Sequence, residues 1–100
     1  MSVRASLAGN GQELVIQVDG RFDFSAHQEF RDAYESASQV RKYIVDLGGA
    51  TYLDSSALGM LLLLRDHAGG DHSEISITNC NDDVRKILAI SNFEQLFTIQ

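Results

Sequence analysis

The order of apolar patterns along this 100-residue chain predicts an α/β fold, a mixed β-sheet with helices packed against it, in the order β-β-α-β-α-β-α-β. Three observations carry the prediction. Two apolar runs flank an Asn10-Gly11 turn signal near the start, and short β-rich runs then alternate with segments of helical periodicity. Each helical segment opens on a residue suited to capping: Ser25, Asp54 or Asn81.

The first two strands are expected over Val3–Leu7 and Glu13–Val18, joined through Ala8-Gly9-Asn10-Gly11 as a hairpin. Asp19-Gly20 reads as the end of the second strand, and Arg21-Phe22-Asp23-Phe24 then leads out of the sheet. Ser25 is expected to cap the first helix, with Gln28 completing a capping box. Phe30, Ala33, Tyr34 and Ala37 form its inner face, and Glu29, Arg31, Asp32 and Glu35 its outer one. Tyr43–Leu47 reads as a central strand ended by Gly48-Gly49.

The second helix is expected from about Ser55 to His67, stopped by Gly69-Gly70. Leucine on nearly every side implies burial on more than one face. Leu58, Leu61, Leu62 and Leu64 are assigned to the core, Met60 and Leu63 to a less buried stripe. Glu74–Thr78 alternates around Ile75 and Ile77 as the next strand. Asn81-Asp82-Asp83 caps a third helix whose inner face is Val84, Ile87, Leu88 and Phe93, and Phe97-Thr98-Ile99 is a last short strand.

A chain of this length, 44% hydrophobic and free of low-complexity tracts, is read as one domain over residues 1–100. The net charge of −6, with basic residues scattered apart from Arg41-Lys42 and Arg85-Lys86, argues against nucleic acid and anionic membranes as partners. The longest apolar run, Ala57–Leu64, is too short to span a bilayer. Met1-Ser2-Val3-Arg4 opens no secretory signal core, and the lone Cys80 cannot form an internal disulfide. Together these place the protein in the cytoplasm.

Catalysis finds no constellation. Along one helix Ser55 and His67 stand about 18 Å apart at ~1.5 Å rise per residue, too far for a nucleophile and its base. No G-x-S-x-G elbow is present. His67, His72, Asp66 and Asp71 gather around a Gly-rich connection where polar residues belong, and a single Cys does not make a structural zinc site. No catalytic residue, metal or cofactor is assigned.

The most informative segment is Tyr52-Leu53-Asp54-Ser55-Ser56-Ala57-Leu58-Gly59-Met60. It reads as a loop, an acidic helix cap and two hydroxyls in a first helical turn. The Ser55 hydroxyl then sits on an exposed corner at the positive end of a helix dipole, where a phosphate is tolerated by the fold yet changes the surface.

Asp54-Ser55-Ser56-Ala57-Leu58-Gly59 resembles the signature of STAS domains, in particular the small stand-alone anti-sigma factor antagonists of bacteria. Gly20-Arg21-Phe22-Asp23 resembles that family's turn in which a Gly and an Asp flank a bulky residue. The resemblance implies that Ser55 is the phosphorylation site. The unphosphorylated form would bind an anti-sigma factor, often itself a serine kinase, and so release the sigma factor. Phosphorylation would abolish that binding, and a metal-dependent PP2C-type serine phosphatase would restore it. It also implies a monomer when free.

Asp54 can be a cap for the N–H of Ser56 or Ala57, a partner contact, or both. Asp23 can end a turn or touch a partner; Ser56 is a second first-turn hydroxyl on the same surface. Met60, with Leu63, is expected to present an apolar docking patch beside Ser55. Ala57 stands where the family usually has Gly, which should stiffen the first turn and narrow the space beside Ser55. Many relatives continue into a further helix beyond the position of Gln100. The alternative function is a constitutive STAS-like scaffold or adaptor without serine phosphorylation.

Overall fold

The computed structural model describes residues 2–100. β1 (Ser2–Ala8) and β2 (Glu13–Phe22) form the expected antiparallel hairpin, with Ala8 opposite Glu13. Gly9, Asn10 and Gly11 all take positive φ in its turn, a run of left-handed residues that glycine and asparagine accept most readily. After a 3₁₀ turn at Phe24–Ala26 come α1 (His27–Glu35), β3 (Lys42–Leu53), α2 (Ser55–His67), β4 (Ile75–Thr78), α3 (Asp82–Ile90) and β5 (Thr98–Ile99). The element order is the expected one.

The strands lie in the order β1-β2-β3-β4-β5, and every neighbouring pair after the hairpin is parallel. Three successive right-handed crossovers stepping in one direction lay all three helices on the same face of the sheet. The shortest dimension, 19 Å, is that of one sheet and one helical layer. The register rows Leu14-Tyr43-Ile75 and Ile16-Val45-Ile77 face those helices and are buried. The opposite face carries Glu13, Val15, Gln17, Lys42, Ile44 and Asp46, all half-buried.

Two strands run further than their sequence implies. β2 continues through Asp19-Gly20 to Phe22, and β3 continues through Gly48-Gly49 to Leu53. The ladder shifts register between Gln17 and Asp19 and again between Gly20 and Arg21, then closes on the pair Phe22–Leu53. A Cβ at Gly49 would stand 1.9 Å from an Asp19 carboxylate oxygen, so a side chain there would make the Asp19 side chain swing away. The glycine lies inside a strand and does not end it.

The entry to α1 also differs. Asp23 is the capping residue, accepting from the Ser25 N–H at 3.0 Å, and the Ser25 hydroxyl donates to the same oxygen. Ser25 therefore supports a cap instead of being one, and Gln28 donates to Asp32 in place of a capping box. The inner face of α1 holds as expected in Phe30 and Tyr34, with Ala33 half-buried, while Ala37, expected on that face, lies half-buried beyond the end of the helix at Glu35.

α2 has the expected bounds but not the expected faces. Ala57, Met60, Leu61 and Leu64 form its buried row, at helical spacing. Leu62 is 43% exposed and leaves the core; Leu63 is 52% exposed; Met60, at 3%, lies inside. Ala57 is fully buried, so its methyl group fills the core and does not narrow the space around Ser55. Gly69 ends the helix at φ +115°, a conformation other residues resist. At the far end of the sheet Val84 and Leu88 bury the inner face of α3, and Phe93 stacks on Phe97 at 5.4 Å.

Adjacent leucines should therefore differ sharply on truncation. Leu61→Ala should cost about 2–5 kcal/mol of unfolding free energy in urea, and Leu62→Ala less than about 1 kcal/mol. Equal losses would contradict this rotation of α2.

Candidate functional site

The paired strand ends Phe22 and Leu53 are each followed by an aspartate that opens a helical segment. β4 repeats the device with Asn81, whose side chain accepts from the Val84 N–H at 2.8 Å and donates to the Ala50 carbonyl at 3.2 Å. Three capping residues thus line the carboxyl edge of the parallel strands, where α/β sheets tend to place their binding sites.

Asp54 is extended, at φ −116° and ψ −176°, and one carboxylate oxygen accepts from the Ala57 N–H at 3.0 Å. The same oxygen accepts from the Ser56 hydroxyl at 2.6 Å. Ser56 is half-buried and committed to this cap. Ser55 is the first residue of α2 and exposed, and among the described residues its hydroxyl has no hydrogen-bond partner. The two neighbouring serines are chemically unequal: one holds the fold, the other faces solvent.

Helical spacing puts Ser55 in line with Gly59, Leu62, Leu63 and Asp66 on the outer face of α2. The apolar stripe beside Ser55 is therefore Leu62 and Leu63. Met60, assigned to that stripe from the sequence, presents almost no surface because it packs with Leu61 and Leu64 in the buried row.

Asp23 stands on the neighbouring strand end. Its other carboxylate oxygen lies 3.5 Å from the Arg21 Nε, and the Arg21 guanidinium sits 4.1 Å over the Tyr52 ring. Next in the chain, Phe24 is exposed and stacks on His27. Phe24, Arg21 and Tyr52 lie in the segments that the sequence singles out but were not assigned as contact residues. The available signal was the Phe22-Asp23-Phe24 alternation, which would set both rings on one face unless the aspartate ended the strand between them.

One histidine, His67, stands apart from this edge. His67 closes α2 at the opposite end from Ser55, its ring 4.9 Å from Tyr34 and 6.4 Å from Tyr43. It helps line a shallow 320 Å³ cleft between α1 and α2 with Arg31, Tyr34, Glu35, Leu63 and Asp66. Among the described residues, no three His, Cys, Asp or Glu side chains gather to hold a metal ion, and no helix is long and apolar enough to cross a membrane.

The hydrogen bond from the Ser25 hydroxyl, then that from its backbone N–H, holds the Asp23 carboxyl below its ordinary value. The folded value lies below the unfolded one, so its stabilising contribution is complete above the unfolded value and fades as pH falls through the folded one. In a carbon-detected NMR titration Asp23 should have a midpoint below that of an ordinary aspartate, and Ser25→Ala should move it upward. An unmoved midpoint would refute the assignment. Asp54→Ala, which removes the α2 cap, should cost about 0.5–2 kcal/mol in thermal unfolding; no loss would mean that the cap is dispensable.

The family profile described as "Mlab, STAS domain" matches residues 5–98. A STAS-domain-containing protein of Pseudomonas aeruginosa strain UCBPP-PA14 is 68% identical over 100 residues, 99% of each chain. The fold is shared with the anti-sigma factor antagonist SpoIIAA in its unphosphorylated form, at a TM-score of 0.77 and 18% identity over 99% of this chain and 87% of that one. SpoIIAA of Bacillus in its phosphorylated form also superposes, at a TM-score of 0.72 and 17% identity, covering 99% and 91% of the two chains. A sulfate transporter family protein from Wolinella succinogenes matches with a TM-score of 0.74 and 12% identity, over 93% of this chain and 80% of that one. Identities this low establish the shared fold alone, whereas the profile and the Pseudomonas relative establish the family. The chain belongs to the STAS domain family.

Proposed function

We propose that this STAS domain is an anti-sigma factor antagonist whose binding is switched by phosphorylation of Ser55. The observation that carries the proposal is the inequality of the two serines. Ser55 is exposed and free at a helix N-terminus, while Ser56 is engaged by Asp54. The likeness to SpoIIAA, an anti-sigma factor antagonist with phosphorylated and unphosphorylated structures, supports the same reading.

In this reading the unphosphorylated protein binds an anti-sigma factor or serine kinase through the surface around Asp23, Asp54, Ser56 and the outer face of α2. A PP2C-type serine phosphatase resets it. The protein acts by binding and performs no turnover of its own, as one cytoplasmic domain.

A phosphoserine adds about −1.5 to −2 charges. At the start of α2 it gains about 0.3–1 kcal/mol from the helix dipole, against repulsion of similar order from Asp54. The fold is therefore left intact. An interface closing over that group without a matching cation loses several kcal/mol, and each 1.4 kcal/mol is tenfold in affinity. The switch works by obstruction.

Affinity capture from native lysate with Ser55→Ala and Ser55→Glu baits at equal salt tests the proposal. One protein held by the first and lost by the second is expected, with both baits melting within about 4 °C of the parent. Equal capture by both baits would instead favour the constitutive adaptor. A large stability loss in Ser55→Ala would show that the hydroxyl serves the fold.

A further inference from the structure

Two serine hydroxyls are tied to capping aspartates in the same way. At the α2 cap, one Asp54 oxygen accepts from the Ser56 hydroxyl at 2.6 Å and from the Ala57 N–H at 3.0 Å. At the 3₁₀ turn ahead of α1, one Asp23 oxygen accepts from both the hydroxyl and the N–H of Ser25. Each unit reads Asp-x-Ser, and each carboxylate holds the serine two residues on. The residue in the middle is left out: Phe24 in one unit, Ser55 in the other, both exposed. Exposure alone does not separate the serines, since Ser25 is exposed as well. What separates them is the carboxylate.

Phosphoryl transfer from a nucleoside triphosphate forms a bond from the serine Oγ to phosphorus and breaks the bond to the nucleoside diphosphate. The hydroxyl proton leaves to a base. At Ser56 that proton is already donated to Asp54, and the group attached in its place would carry about −1.5 to −2 charges. The phosphate would then stand against a carboxylate oxygen that now lies 2.6 Å from the Ser56 Oγ. That oxygen is the one that caps α2, so the repulsion reaches the start of the helix. A phosphate on Ser55 leaves the cap in place. The Ser55 hydroxyl is bonded to no group among the described residues and projects from the outer face of α2, where solvent and salt screen an added charge.

We infer that Asp54 is the residue that selects Ser55 over Ser56 for phosphorylation, by holding the Ser56 hydroxyl and repelling a phosphate there. The inference rests on the phospho-switch reading and deepens it: Asp54 determines where the phosphate goes, besides starting α2. Neutralising its carboxylate opens the second serine. Asn is the informative replacement. Its amide oxygen can still accept from the Ala57 N–H, while its NH₂ can donate to a phosphate.

The test places phosphoserine in the full chain by amber suppression, in place of Ser55, of Ser56, or of Ser56 together with Asp54→Asn. Thermal unfolding and a phosphorus NMR pH titration are read, and no kinase is needed. Phosphate on Ser55 should leave the melting point within about 4 °C of the unmodified chain, and phosphate on Ser56 should lower it by about 8 °C or more. The Ser56 phosphate should also titrate at higher pH than the Ser55 phosphate, because a neighbouring carboxylate resists its second charge. Asp54→Asn, read against its own unmodified form, should remove at least half of the melting loss and bring the midpoint down. In a second arm, native lysate with MgATP acts on the parent chain, on Ser55→Ala and on Ser55→Ala with Asp54→Asn, and mass spectrometry maps the product. Ser56 should take about tenfold or more phosphate once Asp54 is replaced.

Equal melting points and equal midpoints for the two phosphoserines overturn the inference. A low melting point with phosphate on Ser56 that Asp54→Asn leaves unchanged assigns the loss to burial and overturns the role of Asp54. Ready phosphorylation of Ser56 in Ser55→Ala with Asp54 intact overturns it too, as does no gain at Ser56 in the double variant while the parent chain is phosphorylated. If the lysate modifies neither serine of the parent chain, the switch reading falls, and the phosphoserine measurements still decide the role of Asp54.

Discussion

The parallel ladder between β2 and β3 is the constraint on which the candidate site depends. Had either strand stopped at its glycine, Asp23 and Asp54 would have left the sheet at unrelated points. Instead the ladder passes two register shifts and closes on Phe22 and Leu53, which are both buried. Each chain then turns upward into its helix within one residue. Asp19 pairs with Gly49 in this stretch, and its carboxylate lies over the glycine where no side chain stands in its way. A site that reads as two sequence motifs about thirty residues apart is thus one structural edge, joined through a ladder whose second register shift, between Gly20 and Arg21, lies inside the first motif.

The one-sided architecture has a further consequence. With all helices on one face, the helical segments that follow β2, β3 and β4 open at the same edge of the sheet, where Asp23 caps the 3₁₀ turn ahead of α1 and Asp54 and Asn81 cap α2 and α3. Each of these caps accepts one backbone N–H, that of Ser25, Ala57 or Val84. An added phosphate at Ser55 would meet first-turn N–H groups of α2 without having to displace the Asp54 cap on Ala57. In the proposed reading its effect would fall on whatever approaches from outside, with no allosteric step required.

Element types and order were legible because they depend on periodicity, which survives in single sequences: the alternation in Glu13–Val18 and the stripe of Phe30 and Tyr34 each read correctly. Ser55 and Asp54 were legible as well, since a cap is a local matter of neighbouring atoms. Rotation of α2 was not. Leucines at 61, 62, 63 and 64 carry no periodic signal, so only the packing against β3 and α1 shows that Leu61 and Leu64 go in while Leu62 and Leu63 stay out. Met60 was misplaced for the same reason. The glycines at 48 and 49 misled because a turn signal and a close-packing requirement leave the same residue in the chain. Phe24 was invisible because its exposure is decided by which of Asp23 and Ser25 provides the cap.

The solved neighbours share this fold at 12–18% identity, so the fold is held by pattern and not by particular residues. Buried positions need only remain apolar and of fitting volume. In the proposed function specificity would be carried by positions that packing leaves free, among them Ser55 and the outer leucines of α2. None of them contributes to the core, so each can be changed without unfolding the domain. A scaffold this tolerant can serve a transporter in one protein and a sigma-factor circuit in another. In the proposed reading the difference would be made by side chains at the edge around Ser55, whose hydroxyl makes no hydrogen bond among the described residues.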